Sequence, residues 1–90
     1  MEKDIQHRII KYLKGLGAYV IKTILSNRNG IPDIIMCYKG KFLAFEVKDL
    51  KGKITPLQEY NIKLIQEAGG KAYLVRSVEE VKNVLEAIDF

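Results

Sequence analysis

The sequence predicts an α/β fold: one three-layer domain in which a mixed four-stranded sheet is flanked by helices, in the order αβββαβα. Three segments have apolar residues at helical spacing, and four runs rich in β-branched and aromatic residues lie between turn signals. With 90 residues and 48% hydrophobic content, the chain is long enough for one core and too short for a second domain. We therefore expect residues 1–90 to form a single domain.

The first half of the chain predicts one helix and three strands. Apolar residues at helical spacing predict an amphipathic helix from Glu2 to Leu16, which ends at the glycines beside Leu16. The run "AYVIKTIL" predicts a first strand, closed by the turn-rich "SNRNGIP". The runs "DIIMCY" and "FLAFEVK" predict two more strands, apolar enough to be buried on both faces and joined by a hairpin around Gly40.

The second half of the chain alternates helix, strand and helix. The string "TPLQ" predicts the start of a second helix, with Thr55 as N-cap and Gln58 at the capping-box position, and this helix runs to about Ala68. After a glycine pair, "KAYLV" predicts the fourth strand. The string "SVEE" predicts a second capping box, formed by Ser77 and Glu80, at the start of the last helix.

Composition limits the classes of function. The net charge of +4 and the pI near 9.2 suit a polyanionic partner, although many of the cations could simply be solvated. One cysteine, Cys37, and one histidine, His7, argue against an internal disulfide and against the usual tetrahedral zinc site. No apolar run approaches the roughly 20 residues that cross a bilayer, and the charged start is unlike a signal peptide. We expect a cytoplasmic protein that binds no membrane and no small-molecule cofactor; a viral or phage origin stays open.

The tripeptide Glu-Val-Lys occurs twice, at residues 46–48 in a predicted strand and at residues 80–82 in a predicted helix. On a strand, residues i and i+2 point to the same face, so Glu46 and Lys48 project together. On a helix, the same spacing separates side chains by about 200°, so the second glutamate and lysine diverge while the valine faces the core. Only the first copy is therefore capable of shared chemistry.

A second carboxylate is expected beside that first copy. In "GIPD", Pro32 favours an extended chain and delivers Asp33 to the beginning of the second strand. If the second and third strands pair, Asp33 lies near Glu46. Two carboxylates and a lysine are what Mg²⁺-dependent phosphodiester hydrolysis requires. The alternative reading of the trio is a structural ion pair at a strand end.

These residues resemble the PD-(D/E)XK nucleases, with Pro32 and Asp33 as the "PD" and Glu46, Val47 and Lys48 as the "EXK". More narrowly, "GIPD", "FEVK", "ITPLQ" and "AYLVRS" are similar to the virus-type replication-repair nuclease family, VRR-NUC, over nearly the whole chain. The resemblance implies a restriction-endonuclease-like fold and one VRR-NUC-like nuclease domain spanning residues 1–90.

The resemblance also implies a metal-dependent DNA endonuclease that leaves a 5′-phosphate on its product. One or two Mg²⁺ ions, for which Mn²⁺ would substitute, are expected on Asp33, Glu46, the backbone carbonyl of Val47, and Glu2. Lys48 would position or deprotonate the attacking water and stabilise the charged transition state. For Glu2 the alternative is an ordinary favourable charge at a helix N-terminus.

Two further residues have both a family role and a simpler explanation. Gln58 resembles a family glutamine that orients water or phosphate, yet the capping box accounts for it equally well. Arg76 lies in the valine-arginine segment and is expected to contact a phosphate or support the site; the alternative is a surface cation beside Glu79 or Glu80. Ser77 stands where a second arginine would extend that segment.

DNA binding is expected to involve cations that border the site, although each one alone could be solvated surface. They are Lys22, Arg28, Lys51 and Lys53. A homodimer would supply two sites related by twofold symmetry, suited to paired cuts in branched DNA such as a Holliday junction, as similarity to the archaeal junction resolvases also implies. Two alternatives stay open: a non-catalytic nucleic-acid-binding or assembly module on the nuclease fold, and a monomeric flap or nicking nuclease.

Overall fold

Three helices and four strands follow one another in the predicted order αβββαβα. The computed structural model describes residues 1–90 throughout. The elements are α1 (Glu2–Gly15), β1 (Tyr19–Lys22), β2 (Ile34–Tyr38), β3 (Lys41–Val47), α2 (Pro56–Glu67), β4 (Lys71–Val75) and α3 (Val78–Ala87). None of the helices has the length and apolar character that a bilayer crossing requires.

The four strands form one mixed sheet in the order β1-β2-β3-β4. The first three strands are antiparallel to their neighbours, and β4 runs parallel to β3. A two-residue turn joins β2 to β3, and both of its residues adopt positive φ, 50° at Lys39 and 79° at Gly40. This handedness matches the twist of a two-strand hairpin, which explains the hairpin predicted around Gly40.

The first strand is shorter than predicted. The sequence favoured strand from residue 18 to residue 25, but β1 ends at Lys22, opposite Ile34. Beyond this pair, Thr23 donates one backbone hydrogen bond to the Asp33 carbonyl at 2.9 Å. The residue before Asp33 is Pro32, which has no backbone N–H, so pairing stops there and the chain leaves the sheet.

The hydrophobic core lies between one face of the sheet and the helices α1 and α3. Its buried members are Ile9, Leu13, Ile34, Met36, Leu43, Phe45, Val47, Val75 and Val81. Strand alternation then places the even-numbered residues of β3 on the opposite face, where α2 packs beside β4. Glu46 therefore belongs to the α2 side of the sheet, away from the main core.

Burial on both faces was predicted for β2 as well as β3, and it holds only for β3. Residues 43–47 of β3 are all buried, whereas β2 alternates buried Ile34 and Met36 with half-buried Ile35 and exposed Cys37. The reason is that α2 packs against β4 and leaves the β1 and β2 side of that face partly open.

The two predicted capping boxes have different outcomes. At α2 the box is complete, because Gln58 N donates to Thr55 Oγ1 at 3.2 Å and Thr55 N donates to Gln58 Oε1 at 3.0 Å. At α3, Ser77 Oγ accepts from Glu80 N at 3.1 Å, but the Glu80 carboxylate accepts from Arg76 N at 2.7 Å instead of from Ser77 N. The second box is thus only half formed.

Candidate active site

One edge of the sheet gathers the ends of all four strands. The pairing of Lys22 with Ile34, and of Val47 with Val75, places the carboxyl ends of β1, β3 and β4 beside the start of β2. Asp33 immediately precedes β2, and Lys48 immediately follows β3. Asp33 and Lys48, which were predicted on two separate segments, therefore meet at this edge.

The two carboxylates predicted to be neighbours are neighbours. Asp33 Oδ2 accepts a hydrogen bond from Val47 N at 2.8 Å, which fixes its side chain against the end of β3. Glu46 is only 2% exposed, and its Oε1 has no hydrogen-bond partner. Lys48 is half-buried, with Nζ 3.9 Å from Glu46 Oε2. A buried carboxylate with an unpaired oxygen is costly unless a proton or a cation satisfies it.

The surroundings of Glu46 favour its neutral form. Burial, followed by the hydrogen bond to Asp33 and the charge of Asp33, raises the pKa of Glu46 from 4.5 to about 8. The ammonium of Lys48 lowers this pKa and offsets only part of the rise, while the charge of Glu2 adds to it. Without a metal, burial and the neighbouring Asp33 therefore favour the protonated form of Glu46.

Glu2 approaches the site from the start of α1. A Cβ added at Gly52 would lie 3.0 Å from Glu2 Oε2 and 3.3 Å from Lys48 Cβ and Cδ, so the three residues are packed closely together. No three acidic, histidine or cysteine side chains converge closely enough to hold a metal ion jointly. Glu2 thus lies beside Lys48 rather than against the carboxylate pair, and its role as a metal ligand stays a prediction.

Arg76 holds the turn that follows β3. Its guanidinium Nη1 donates to the backbone carbonyls of Asp49 and, at 2.8 Å, of Gly52. Within the turn, Asp49 Oδ1 accepts from Gly52 N at 2.8 Å and from Lys51 N at 3.0 Å, and these two bonds lower the pKa of Asp49. Arg76 thus holds the turn that follows Lys48, and both of its predicted roles, support of the site and a phosphate contact, stay predictions.

The composition of "DLKGKI" indicates a turn in the sequence, but it does not indicate what holds that turn. An aspartate that accepts from backbone N–H groups two and three residues later is typical of Asx turns, and "DLKG" has the composition for one. The contribution of Arg76 has no such local signal, because it comes from a residue 27 positions away from Asp49.

Gln58 is engaged by the cap of its own helix. Its Oε1 accepts from Thr55 N at 3.0 Å, which leaves only the amide nitrogen for other contacts. The structure thus supplies the capping role that was weighed against a catalytic one, and the catalytic role of Gln58 stays a prediction.

A buried asparagine that the sequence reading missed positions the segment leading to Asp33. Asn61 Nδ2 donates to the Asn29 carbonyl at 3.0 Å and to the Leu57 carbonyl at 2.9 Å, which ties the loop after β1 to α2. A Cβ at Gly30 would lie 2.6 Å from Leu57 Cγ, so the loop and the helix are in close contact. A polar residue four positions after Leu57, among the apolar residues of α2, was the available signal.

The four cations proposed to contact DNA are all exposed. Lys22 ends β1, Arg28 lies in the loop after β1, and Lys51 and Lys53 lie between β3 and α2. None of them forms a salt bridge, since the one between Lys48 and Glu46 is the only such pair in the chain. Their contact with nucleic acid stays a prediction.

A cavity between α2 and the sheet lies outside this cluster. It has a volume of about 870 Å³ and runs between α2 and the hairpin of β2 and β3, lined by apolar residues such as Ile35, Phe42 and Ile65. Neither carboxylate of the site lines it. The candidate site is therefore defined by the carboxylates at the sheet edge and not by this cavity.

A mixed four-stranded sheet of this order, with two carboxylates and a lysine at one edge, defines the class of restriction-endonuclease-like nucleases. Within that class, the chain belongs to the archaeal Holliday junction resolvase (Hjc) family, whose model matches residues 3–89. A comparison with curated proteins finds no match.

Two solved structures support the VRR-NUC assignment made from the sequence. A structure named "VRR_NUC domain" superposes with a TM-score of 0.83 at 26% identity, covering 98% of this chain and 97% of that one. A second, named "VRR_NUC domain protein", has a TM-score of 0.75 at 20% identity, covering 94% and 84%, and shows the shared fold. The predicted family and fold class are confirmed.

Proposed function

We propose that this chain is a metal-dependent DNA endonuclease that hydrolyses phosphodiester bonds in branched DNA, such as Holliday junctions, as a homodimer. The observation that carries the proposal is the buried Glu46 carboxylate, with its unpaired Oε1, beside Asp33. Paired carboxylate oxygens are hard ligands, which suit Mg²⁺, and Mn²⁺ is a substitute of similar preference.

The donor set fits a divalent ion. Glu46 Oε1 has no other partner, and Asp33 uses only Oδ2 to accept from Val47 N, so its second oxygen can serve as a ligand. The Val47 carbonyl and Glu2 are the further ligands that we propose. When bound, the ion would neutralise charge on the phosphate and lower the pKa of an attacking water.

Lys48 is suited to act on the attacking water. Its ammonium lies 3.9 Å from Glu46 Oε2, and its aliphatic stem packs closely against Gly52. A cation held in this way needs little reorganisation during the reaction. We propose that Lys48 positions or deprotonates the water and stabilises the charge that develops on the phosphate. If the water attacks phosphorus and the 3′-oxygen leaves, the product carries the 5′-phosphate that the family resemblance implies.

The proposed substrate rests on charge and on the family. Four exposed cations lie on segments that lead into or out of the site strands, and the family is named for resolvases of Holliday junctions. A twofold dimer of a 90-residue chain would place two such sites on one four-way junction and would enlarge its basic surface. We also propose that the enzyme works in the cytoplasm, where Cys37, free and exposed, would stay reduced.

The test is cleavage of a labelled four-way junction compared with a linear duplex of the same sequence, with and without Mg²⁺ or Mn²⁺. We expect metal-dependent, symmetric cutting of the junction, which Asp33→Asn and Lys48→Ala abolish. Lys82→Ala is the matched control and should retain activity, because it removes the lysine of the helical Glu-Val-Lys copy.

Two results would redirect the proposal. If the wild-type protein binds DNA but cuts none with either metal, the chain is a non-catalytic binding module. If a monomer cuts one strand of a flap or duplex and spares the junction, it is a flap or nicking nuclease.

A further inference from the structure

The three most exposed large apolar side chains of the protein all lie on loops at the edge that holds the site. They are Leu25, Ile24 and Leu50, which are 94%, 90% and 89% exposed. A single exposed apolar residue needs no explanation, but three that are gathered around one cluster of carboxylates do.

These residues flank the carboxylate pair from two sides. Thr23 N donates to the Asp33 carbonyl at 2.9 Å, so Ile24 and Leu25 leave the sheet directly beside Asp33, on the β1 side. Leu50 follows Lys48 by two residues, and Lys48 N donates to the Val75 carbonyl at 3.1 Å, which places the turn on the β4 side. The two loops that carry these apolar side chains therefore leave the sheet on opposite sides of the carboxylate pair.

The turn that carries Leu50 is held in place. Asp49 Oδ1 accepts from the N–H groups of two turn residues, and Arg76 donates to the carbonyls at both ends of the turn. A free loop could fold a leucine back onto the protein and bury it. This hydrogen-bonded turn keeps Leu50 in water, where only a partner can cover it.

The neighbours of the tips indicate the chemistry of that partner. In the sequence, Lys51 and Lys53 follow Leu50, and Lys22 and Arg28 lie before and after the pair Ile24 and Leu25. All four cations are exposed. Apolar tips among unpaired cations complement a molecule that has an anionic backbone and flat apolar faces. Nucleic acid has both, but a stacked duplex hides its base faces, whereas an open branch point exposes them.

We propose that Leu50 on one side, and Ile24 with Leu25 on the other, pack against unstacked bases next to the scissile phosphate and so select DNA with an open stack. The inference rests on the proposed nuclease function and specifies its substrate: the cations hold the backbone, and the apolar tips distinguish a branch point from continuous duplex.

The experiment uses full-length protein and a four-way junction carrying 2-aminopurine at the branch point, with Ca²⁺ in place of Mg²⁺ so that binding is measured without cleavage. Wild-type protein should raise the fluorescence. Leu50→Ala and Leu25→Ala should lose that rise and bind the junction about tenfold more weakly, the value expected for one leucine side chain, while affinity for linear duplex changes less than about twofold.

Tyr19→Ala is the matched control. Tyr19 is 71% exposed at the opposite end of the sheet, so its loss should leave both the fluorescence and the affinities at wild-type values. All of these side chains are largely exposed, and thermal unfolding should confirm that each variant folds.

Three outcomes would overturn the inference. Variants that bind the junction and raise the fluorescence as wild type does would refute it, and continued metal-dependent cleavage would leave the proposed function intact. Conversion of a dimer to a monomer by Leu50→Ala or Leu25→Ala, measured by sedimentation, would show that a second copy of the chain covers the tips. Wild-type protein that neither binds nor cuts any DNA would refute both proposals.

Discussion

Replacing Glu46 with glutamine should stabilise the metal-free protein at neutral pH and abolish its response to Mg²⁺. Glutamine has almost the same shape, carries no charge, and offers an N–H donor toward Asp33 where the protonated carboxyl offers O–H. The substitution therefore removes the ionisation while keeping the packing and the hydrogen bond.

The size of the effect follows from the pKa of Glu46, which rises from 4.5 to about 8 on folding. Between these values the folded state holds a proton that the unfolded chain has released, so the free energy of unfolding falls as the pH rises. Each pH unit in this window corresponds to about 1.4 kcal/mol. At pH 7, which is about 2.5 units above the unfolded-state pKa, the free energy of unfolding is lowered by about 3 kcal/mol at most. For a domain of this size, that loss corresponds to roughly 10–20 °C in Tm.

The assay is thermal unfolding of wild type and Glu46→Gln from pH 4.5 to 8.5 in the presence of EDTA. The two proteins should have similar Tm values near pH 4.5, and the variant should become progressively more stable than wild type up to about pH 8. Glu86→Gln is the control, because Glu86 is exposed on α3 and its loss should produce no such pH-dependent gain. A constant difference between Glu46→Gln and wild type at every pH would refute the reasoning.

Addition of Mg²⁺ tests the other half of this prediction. A metal ion that binds only the folded state raises the free energy of unfolding by about 2.7 kcal/mol when its concentration is 100 times its Kd. Wild type should therefore gain Tm at pH 8, with a smaller gain at lower pH because protons compete with the metal for Glu46. Glu46→Gln should gain none; an equal gain in both proteins would place the metal elsewhere.

Three further substitutions test the supports of the site. Arg76→Ala should lower kcat about tenfold with little change in KM and cost about 2 kcal/mol of stability, and Arg76→Lys should not restore kcat; a rise in KM alone, with a weaker salt dependence of binding, would instead show a phosphate contact. Gly52→Ala should reduce cleavage about tenfold while changing the urea midpoint little, because the new Cβ displaces Lys48 by only a few tenths of an ångström, and wild-type cleavage would contradict this. Gly30→Ala should destabilise by about 1–3 kcal/mol in urea unfolding, since φ is +75° and the Cβ would meet Leu57, and unchanged stability would contradict that close contact.

The order of the elements and the position of the paired chemistry could be predicted from the sequence because local rules specify them. Helical and strand periodicity, the cap at Thr55 and the turn at Gly40 each depend on a few neighbouring residues. The same rules separated the two Glu-Val-Lys copies, since the spacing of two has opposite consequences on a strand and on a helix. In the structure Lys48 Nζ lies 3.9 Å from Glu46 Oε2 in the strand copy, and Val81 of the helical copy is buried.

The predictions were less accurate at two places where a partner outside the predicted motif decides the hydrogen bonding. The first strand ends three residues early because the partner strand begins only after Pro32, which has no N–H to offer. The capping box predicted at Ser77 is half formed because Glu80 bonds to Arg76 N instead. The first error depends on where the partner strand begins, and the second arises because the N–H of the neighbouring Arg76 takes the carboxylate that was expected to accept from Ser77 N.

By itself, then, the sequence determined an α/β fold, its strand and helix order, and a carboxylate pair with a lysine on adjoining strands. Only the tertiary structure decided that Glu46 is buried with an unpaired oxygen, that Arg76 clamps a turn 27 residues away, and that Leu50 is held in water beside the site. The physical reason is that burial, pKa and side-chain clamps depend on which distant segments are packed together, and periodicity and spacing contain no record of those contacts.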